Sequence, residues 1–243
     1  MPRMTLYNRW RSSSSYRVRI ALAMKGIAYE YAVVRAVEDE PSRAIHRARS
    51  PTGYVPCLVV DGVPYIESVA IIELLEELVP EPALYPKDAH GRARVRGLVE
   101  MINSGIQPLQ NSGVLAYLET AVPPGPGARA AGGELSTSTS RAWAQHFIER
   151  GLDSLERAMT ANAASGIDAA NGPYAYGPTP TAADVFLVPQ VVNAGRYGVA
   201  VKPYARVCSA FEAATRLEAF QKAAPENQID VDADVADAVK SAR

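Results

Sequence analysis

The sequence predicts two domains, an α/β domain at the amino terminus followed by an all-α domain. Short apolar segments alternate with helical patterns up to about residue 80, as expected for a sheet covered by helices. Beyond the proline-rich stretch 80–90 only helical patterns continue. We therefore divide the chain into a sheet-containing domain at 1–82, a linker at 83–90, a helical domain at 91–224 and an acidic tail at 225–243.

The first domain begins with a strand, a helix and a second strand. Met4–Tyr7 is apolar, and the helical pattern at about 15–25 stops before Gly26, which favours the left-handed backbone of a helix end. Tyr29–Val34 predicts the second strand. Because a helix separates these strands, they can pair in parallel. A weak helical pattern follows at 40–49.

A hairpin completes the predicted sheet. Cys57–Val60 and Val63–Ile66 are joined by Asp61-Gly62, a strong signal for a tight antiparallel turn. A helical pattern then begins at Ser68 and stops before Pro80. The predicted sheet is therefore four-stranded and mixed.

Helical patterns account for the second domain. They cover about 91–118, with an interruption near Gly105–Pro108, and then 141–159, 181–197 and 203–222. Thr181 and Asp184 have the spacing of a capping box. The stretch 122–140, which includes the Pro/Gly-rich segment 122–135, is too rich in Pro, Gly and Ser for regular structure.

The composition excludes several functional classes. The 243 residues are 48% apolar and carry a net charge of −1, which gives no basic field for nucleic acid or a membrane surface. Two distant cysteines and the widely spaced His46, His90 and His146 predict neither a disulfide framework nor a metal site. The amino terminus lacks the apolar segment of a secretory signal, so we expect a cytoplasmic location.

Four consecutive serines, Ser12 to Ser15, stand between the first strand and the first helix. The first N–H groups of a helix have no partner within it, and the helix dipole makes that end positive. Serine hydroxyls add further donors, so this helix start is a candidate anion site. The structural alternative is that one serine caps the helix and the others fill a loop.

Two further features are suited to an extended peptide. Val55-Pro56 precedes a strand; its bond is a candidate for the cis form, and the Val55 backbone can pair with a ligand. Glu67 and Ser68 start another helix, which can hold a carboxylate and an ammonium group. The structural alternatives are a turn proline and a simple helix cap. Together with the serines, these features describe a pocket for a small zwitterionic peptide such as glutathione.

Five motifs extend this interpretation over roughly 5–223. They are WRSSSSYRVRIALAMKG, SPTGYVPCLVVDG, ESVAIIELLEE, INSGIQPLQN, and TAADVFLVPQVVNAGRYGV followed by KPY. On these motifs the sequence resembles the glutathione S-transferase superfamily, and within it the zeta class. The resemblance implies a thioredoxin-like first domain, a homodimer and glutathione as cofactor. It implies that glutathione contacts Ser12, Ser13, Ser14, Ser15, Val55, Pro56, Glu67, Ser68, Gln107, Asn111 and Ser112.

The zeta class includes maleylacetoacetate isomerase, so the resemblance implies glutathione-dependent isomerisation of maleylacetoacetate to fumarylacetoacetate. We expect Ser12 to stabilise the glutathione thiolate, with Ser14 as the second candidate. Arg11, also at the catalytic centre, and Arg196 are expected to bind the carboxylates of a dicarboxylic enedione; the alternative for each is a surface ion pair. Ser14 stands where this class commonly has cysteine, which removes the option of mixed disulfides.

Three other functions stay open at this point. A maleylpyruvate isomerase would use the same chemistry on a related substrate. A glutathione transferase or dehalogenase acting on α-halo acids would consume the thiol. A non-catalytic protein of the same fold would bind glutathione or another ligand without turnover.

Overall fold

The computed structural model describes residues 2–34, 40–121, 139–164 and 171–231. The Pro/Gly-rich segment 122–135 and the part of the acidic tail beyond Val231 lie outside this description. The chain divides into two compact units: the first is Met1–Leu84 with Thr215–Arg243, and the second is Tyr85–Ala214.

A four-stranded mixed sheet forms the centre of the first unit. Its strands are β1 (Met4–Asn8), β2 (Glu30–Val33), β3 (Cys57–Val60) and β4 (Val63–Ile66), arranged in the order β2-β1-β3-β4. β1 pairs in parallel with β2, whereas the β1–β3 and β3–β4 pairs are antiparallel. This arrangement confirms the predicted mixed sheet and the thioredoxin-like first domain.

The β3–β4 turn has the backbone that its sequence predicts. Asp61 has a φ of 48° and Gly62 a φ of 87°, both in the left-handed region. A two-residue turn with positive φ at both positions matches the twist of the paired strands. Leu6 of β1 lies opposite Leu58 of β3, and both side chains are fully buried.

The described helices are α1 (Ser13–Met24), α2 (Glu40–Arg49), α3 (Ser68–Leu78), α4 (Ala89–Asn103), α5 (Ser112–Ala121), α6 (Thr139–Ala164), α7 (Ala182–Arg196), α8 (Ala205–Thr215) and α9 (Glu218–Ala223). A short 3-10 turn, Gln107–Gln110, separates α4 from α5, which confirms the predicted interruption. None of the helices in these described residues is long and apolar enough to cross a membrane.

A buried ion pair joins α1 to the end of α3. Lys25 Nζ lies 2.7 Å from a Glu76 carboxylate oxygen and also donates to the carbonyls of Val79 and Pro82. The Glu76 carboxylate accepts the backbone N–H of Leu84. Burying charge is unfavourable unless the charges are paired and hydrogen-bonded, and this network supplies both conditions. No sequence pattern predicts this pairing.

The second unit packs α4 against α6 and α7. The predicted capping box at the start of α7 is confirmed, with Thr181 as the cap and Asp184 closing it. Asp184 is completely buried, and burial raises the pKa of its carboxyl to about 6. Its carboxylate also accepts the N–H of Ala175, so one side chain fixes both the helix start and the preceding loop.

The carboxyl-terminal segment packs with the first unit. The helix expected at 203–222 is instead broken into α8 and α9, and the boundary between the units falls before Thr215. The sequence pattern predicts that the helical domain extends to residue 224, beyond this boundary. The difference arises because α9 packs on α1 and fully buries Phe220.

Candidate active site

Three predicted binding features emerge from one end of the sheet. The register pairs Tyr7 with Cys57, and Cys57 with Ile66. β1 ends at this level, β3 begins there and β4 ends there. The same end of the sheet therefore carries three segments: the loop 9–12, called here the serine loop; Val55-Pro56 before β3; and Glu67-Ser68 after β4.

Ser12 is the cap of α1 and still has a hydroxyl proton to donate. Its backbone is extended, with φ −71° and ψ 120°, and its Oγ accepts the N–H of Ser15 at 3.1 Å. A hydroxyl has two acceptor lone pairs and one donor, and the capping bond uses one lone pair. The capping role and the anion-binding role of Ser12 are therefore compatible.

The other serines differ in accessibility. Ser13 and Ser14, in the first turn of α1, are half-buried. Ser15 is completely buried. The contact of Ser15 with glutathione, like those of Ser13 and Ser14, stays a prediction.

The Val55-Pro56 peptide bond is cis, as the sequence indicated. Val55 is half-buried, and in the part of the chain that the structure describes its backbone N–H and C=O make no hydrogen bond. The preceding carbonyl, that of Tyr54, accepts the Ser50 hydroxyl at 2.8 Å and lies 3.1 Å from His46 Nε2. The loop before Val55 is thus held, while Val55 itself keeps a free donor and acceptor. Pro56 is buried and shapes this turn.

Glu67 has an unusual backbone at the start of α3. Its φ of 68° with ψ 122° is unfavourable for a residue with a side chain, at a cost of about 1–3 kcal/mol, and such residues cluster at ligand sites. Its side chain is exposed and makes no capping bond, so the first N–H groups of α3 have no side-chain cap. This helix start is consequently suited to an anion.

A buried arginine that we did not predict lies beside this helix start. Arg17 is fully buried, and its Nη1 donates to the Ser68 hydroxyl at 3.2 Å. Ser68 is itself only 3% exposed. The available signal was a pair of arginines, Arg17 and Arg19, within an apolar stretch of α1. The guanidinium group adds positive charge behind the N-terminus of α3.

Neither cysteine is prepared to act as a thiolate. Burial raises the pKa of the Cys57 thiol, although nearby Arg49 opposes the shift. Burial also raises the pKa of Cys208, and Glu212 adds to that effect. The described residues contain no group of acidic, histidine or cysteine side chains that could hold a metal ion. The serine-lined edge therefore has no ionised sulfur of its own.

The remaining predicted residues belong to the second unit, except for Arg11. Asn111 is half-buried, and its Oδ1 accepts the N–H of Gly113 at 2.9 Å. Gln107 opens the 3-10 turn and Ser112 opens α5. Arg196 is the last residue of α7 and is half-buried, whereas Arg11, in the serine loop, is exposed. The contacts of these residues with glutathione or substrate stay predictions.

We expect Ser14→Cys to fold normally and to add a reactive thiol. The position is half-buried in the first turn of α1, where a helix N-terminus lowers the pKa of a cysteine. A thiol reagent should modify one additional cysteine per chain, rapidly, while the thermal midpoint stays within a few degrees of the wild type. A large loss of stability would show that the side chain at 14 is packed more tightly than its exposure indicates.

Comparisons with known proteins agree with this geometry. The family model for the glutathione S-transferase N-terminal domain matches residues 6–83. A maleylpyruvate isomerase from a Ralstonia species is 40% identical over 227 residues, covering 93% of this chain and 99% of that protein. The sequence similarity therefore extends over both units.

Solved structures of two proteins share the fold and much of the sequence. The maleylacetoacetate isomerase of Anaeromyxobacter dehalogenans 2CP-1, with glutathione bound in its active site, is 43% identical with a TM-score of 0.79, covering 95% of this chain and 99% of that one. The same protein has also been solved with dicarboxyethyl glutathione and citrate in the active site. A maleylpyruvate isomerase described as a zeta-class bacterial glutathione S-transferase has a TM-score of 0.82 and 38% identity, covering 94% of this chain and 100% of that one. The chain therefore belongs to the zeta class of the glutathione S-transferase superfamily.

Proposed function

We propose that this protein is a glutathione-dependent isomerase that converts maleylacetoacetate to fumarylacetoacetate. The observation that carries the proposal is the Ser12 hydroxyl. It caps α1 through a lone pair and keeps its proton for an anion. It lies at the same end of the sheet as Val55 and Glu67. The kinship with the Anaeromyxobacter maleylacetoacetate isomerase supports the same conclusion.

The donors and acceptors at this edge fit glutathione. The N-terminus of α3, with buried Arg17 behind Ser68, suits the carboxylate of the γ-glutamyl group. The exposed Glu67 carboxylate suits its ammonium group. The free N–H and C=O of Val55 suit the main chain of the central cysteine, in the manner of an added strand. The sulfur is then assigned to the serine loop.

Ser12 has to favour the ionised form of that sulfur. A free thiol has a pKa of about 8.5, and lowering it by about two units requires roughly 2.7 kcal/mol of preferential stabilisation. A hydrogen bond to a charged group contributes about 1.5–3 kcal/mol, and the N-terminus of α1 adds about 0.3–1 kcal/mol. Ser12 and the helix end together reach the required size, with Ser14 as the second candidate donor.

When bound, glutathione would supply a thiolate for reversible addition: addition turns the cis double bond into a single bond that can rotate, and expulsion of the same thiolate restores the double bond in the trans form. The protein must hold two carboxylates during the rotation. We assign one to Arg11, which directly precedes Ser12, and the other to Arg196 at the end of α7. Arginine suits both roles because its planar guanidinium forms paired hydrogen bonds with a carboxylate.

Maleylpyruvate is the second candidate substrate. The observation in its favour is the likeness to the Ralstonia maleylpyruvate isomerase. We prefer the larger maleylacetoacetate because the stretch Asn111-Ser112-Gly113 adds no arginine for a shorter diacid.

A side-by-side turnover assay tests this proposal. Purified protein is given maleylacetoacetate or maleylpyruvate, with and without a catalytic amount of glutathione, and the ultraviolet band of the cis substrate is followed. We expect turnover of maleylacetoacetate that depends on glutathione, while the glutathione concentration stays constant.

Other outcomes of this assay favour the alternative functions. Faster turnover of maleylpyruvate than of maleylacetoacetate indicates a maleylpyruvate isomerase. Loss of glutathione in proportion to product, with α-halo acids as the better substrates, indicates a transferase or dehalogenase. Retention on immobilised glutathione without any turnover indicates a binding protein.

We further propose that the protein acts as a homodimer, as the resemblance led us to expect, and that it works in the cytoplasm. Val63 and Tyr65, on the terminal strand β4, are 51% and 37% exposed and give that edge an apolar character.

A further inference from the structure

The serine loop is held from inside the first unit by one buried arginine. Arg19, only 1% exposed, donates from Nη1 to the carbonyl of Arg9 and from Nη2 to the carbonyl of Trp10, at 3.2 and 3.1 Å. Nη1 also reaches Asn8 Oδ1 at 3.0 Å. The same Arg9 carbonyl accepts the N–H of Ser12 at 3.1 Å. Arg19 therefore fixes the backbone immediately before the proposed thiolate donor.

A segment near the carboxyl terminus also holds this loop. This segment, 218–231, is named here the C-terminal strap. Its Ala223 carbonyl accepts a hydrogen bond from Arg19 Nε at 3.0 Å. Asp230 Oδ2 accepts the backbone N–H of Trp10 at 2.9 Å. Asp230 Oδ1 accepts the hydroxyl of Tyr31 at 2.5 Å, which ties the strap to β2.

We propose that Asp230 and Arg19 are positioning residues for the serine loop, so that the thiolate site depends on the C-terminal strap. This inference rests on the proposed function. Both backbone polar groups of Trp10 are hydrogen-bonded: its N–H donates to Asp230 and its C=O accepts from Arg19. The loop between them and Ser12 has little freedom to move its hydroxyl.

The charges on these residues support each other. Burial lowers the pKa of the Arg19 guanidinium, and the Asp230 carboxylate acts against that shift. Burial and the bond to Asp230 raise the pKa of Tyr31, so the phenol stays protonated and keeps donating. Removing Asp230 leaves the Trp10 N–H and the Tyr31 hydroxyl without their acceptor, and it weakens the electrostatic support of Arg19.

The first test compares Asp230→Ala with Ile229→Ala, a matched control whose side chain is 77% exposed. Hydrogen exchange of the full-length protein is followed for the peptides that cover 9–15. We expect exchange there to be faster by about tenfold in Asp230→Ala, which corresponds to the loss of one hydrogen bond to a charged group, and unchanged in Ile229→Ala. Unaltered exchange in Asp230→Ala overturns the proposal. This readout needs no glutathione, so it stands even if the proposed function fails.

The second test asks whether Asp230 acts through Ser12. Asp230→Ala should lower kcat/KM about tenfold in the wild-type background and by less than about twofold in a Ser12→Gly background, because the loop then presents no hydroxyl. The pKa of the bound glutathione thiol should rise in Asp230→Ala and stay unchanged in Ile229→Ala. An equal loss in both backgrounds, or a loss explained by a lower thermal midpoint alone, overturns the positioning role.

Discussion

Replacing Ser12 by alanine is expected to lower turnover by about tenfold or more while the first unit stays folded. The proposed hydrogen bond from Ser12 to the thiolate is charge-assisted, and losing such a bond costs about 1.5–3 kcal/mol. The substitution should lower kcat and raise the pKa of the bound thiol, because the sulfur is the reacting atom. Steady-state kinetics across a range of pH measures both quantities.

The capping role of Ser12 requires a control, since its Oγ also accepts the N–H of Ser15. Loss of a cap to alanine costs about 0.5–2 kcal/mol, whereas glycine at the same position costs only a few tenths. Ser12→Gly therefore keeps α1 nearly intact and removes the hydroxyl, so its turnover should match that of Ser12→Ala. Ser12→Thr keeps a hydroxyl and should restore most of the activity. Full activity in Ser12→Gly would remove this residue from the mechanism.

Asp184→Ala is expected to destabilise the second unit by about 3 kcal/mol. Its buried carboxylate accepts the N–H groups of Ala175 and Thr181, both at 2.8 Å, and the Thr181 hydroxyl at 3.2 Å. Each buried N–H left without a partner costs about 1–3 kcal/mol, and the relief of burying a charge offsets part of that loss. Urea unfolding, read from Trp143 in a Trp10→Phe background, measures the change in this unit.

Asp153→Ala is the matched control, because this aspartate forms an exposed ion pair with Arg157 on α6. Exposed pairs contribute up to about 1 kcal/mol, so the control should lose little stability. A loss in Asp184→Ala no larger than in this control would contradict the buried role of Asp184.

The stability of the second unit should also depend on pH through Asp184. Its folded-state pKa, about 6, lies above the value of about 3.9 in an unfolded chain. Between these values the folded state holds the proton more tightly, so the group favours folding more strongly as the pH falls from 7 through 6 towards 4. The stability difference between the wild type and Asp184→Ala should therefore widen on acidification. A difference that shrinks would contradict this assignment.

Short-range sequence patterns predicted the elements that position the site. Asp61-Gly62 fixed the β3–β4 hairpin, and Thr181 with Asp184 fixed the start of α7, because each depends on residues adjacent or three apart. The three binding features were also found from their own residues. Their meeting at one edge follows from the strand register, which is a property of the paired strands.

The sequence patterns did not predict contacts between residues far apart in the chain. The bond between Trp10 and Asp230 joins positions 220 residues apart, and no local periodicity encodes it. The ion pair of Lys25 and Glu76 and the bond of Arg17 to Ser68 likewise depend on tertiary packing. A run of identical serines likewise does not show which of them the helix turns inward, and in the structure Ser15 is the buried one.

The pKa of the glutathione thiol in its complex with the wild-type protein tests the central claim most directly. The ultraviolet absorbance of the thiolate, followed as a function of pH, gives this value without any acceptor substrate. We expect it about two units below the free value of about 8.5 in the wild type, and close to the free value in Ser12→Gly. A wild-type complex whose thiol titrates like free glutathione would contradict the claim that this serine prepares the sulfur for reaction.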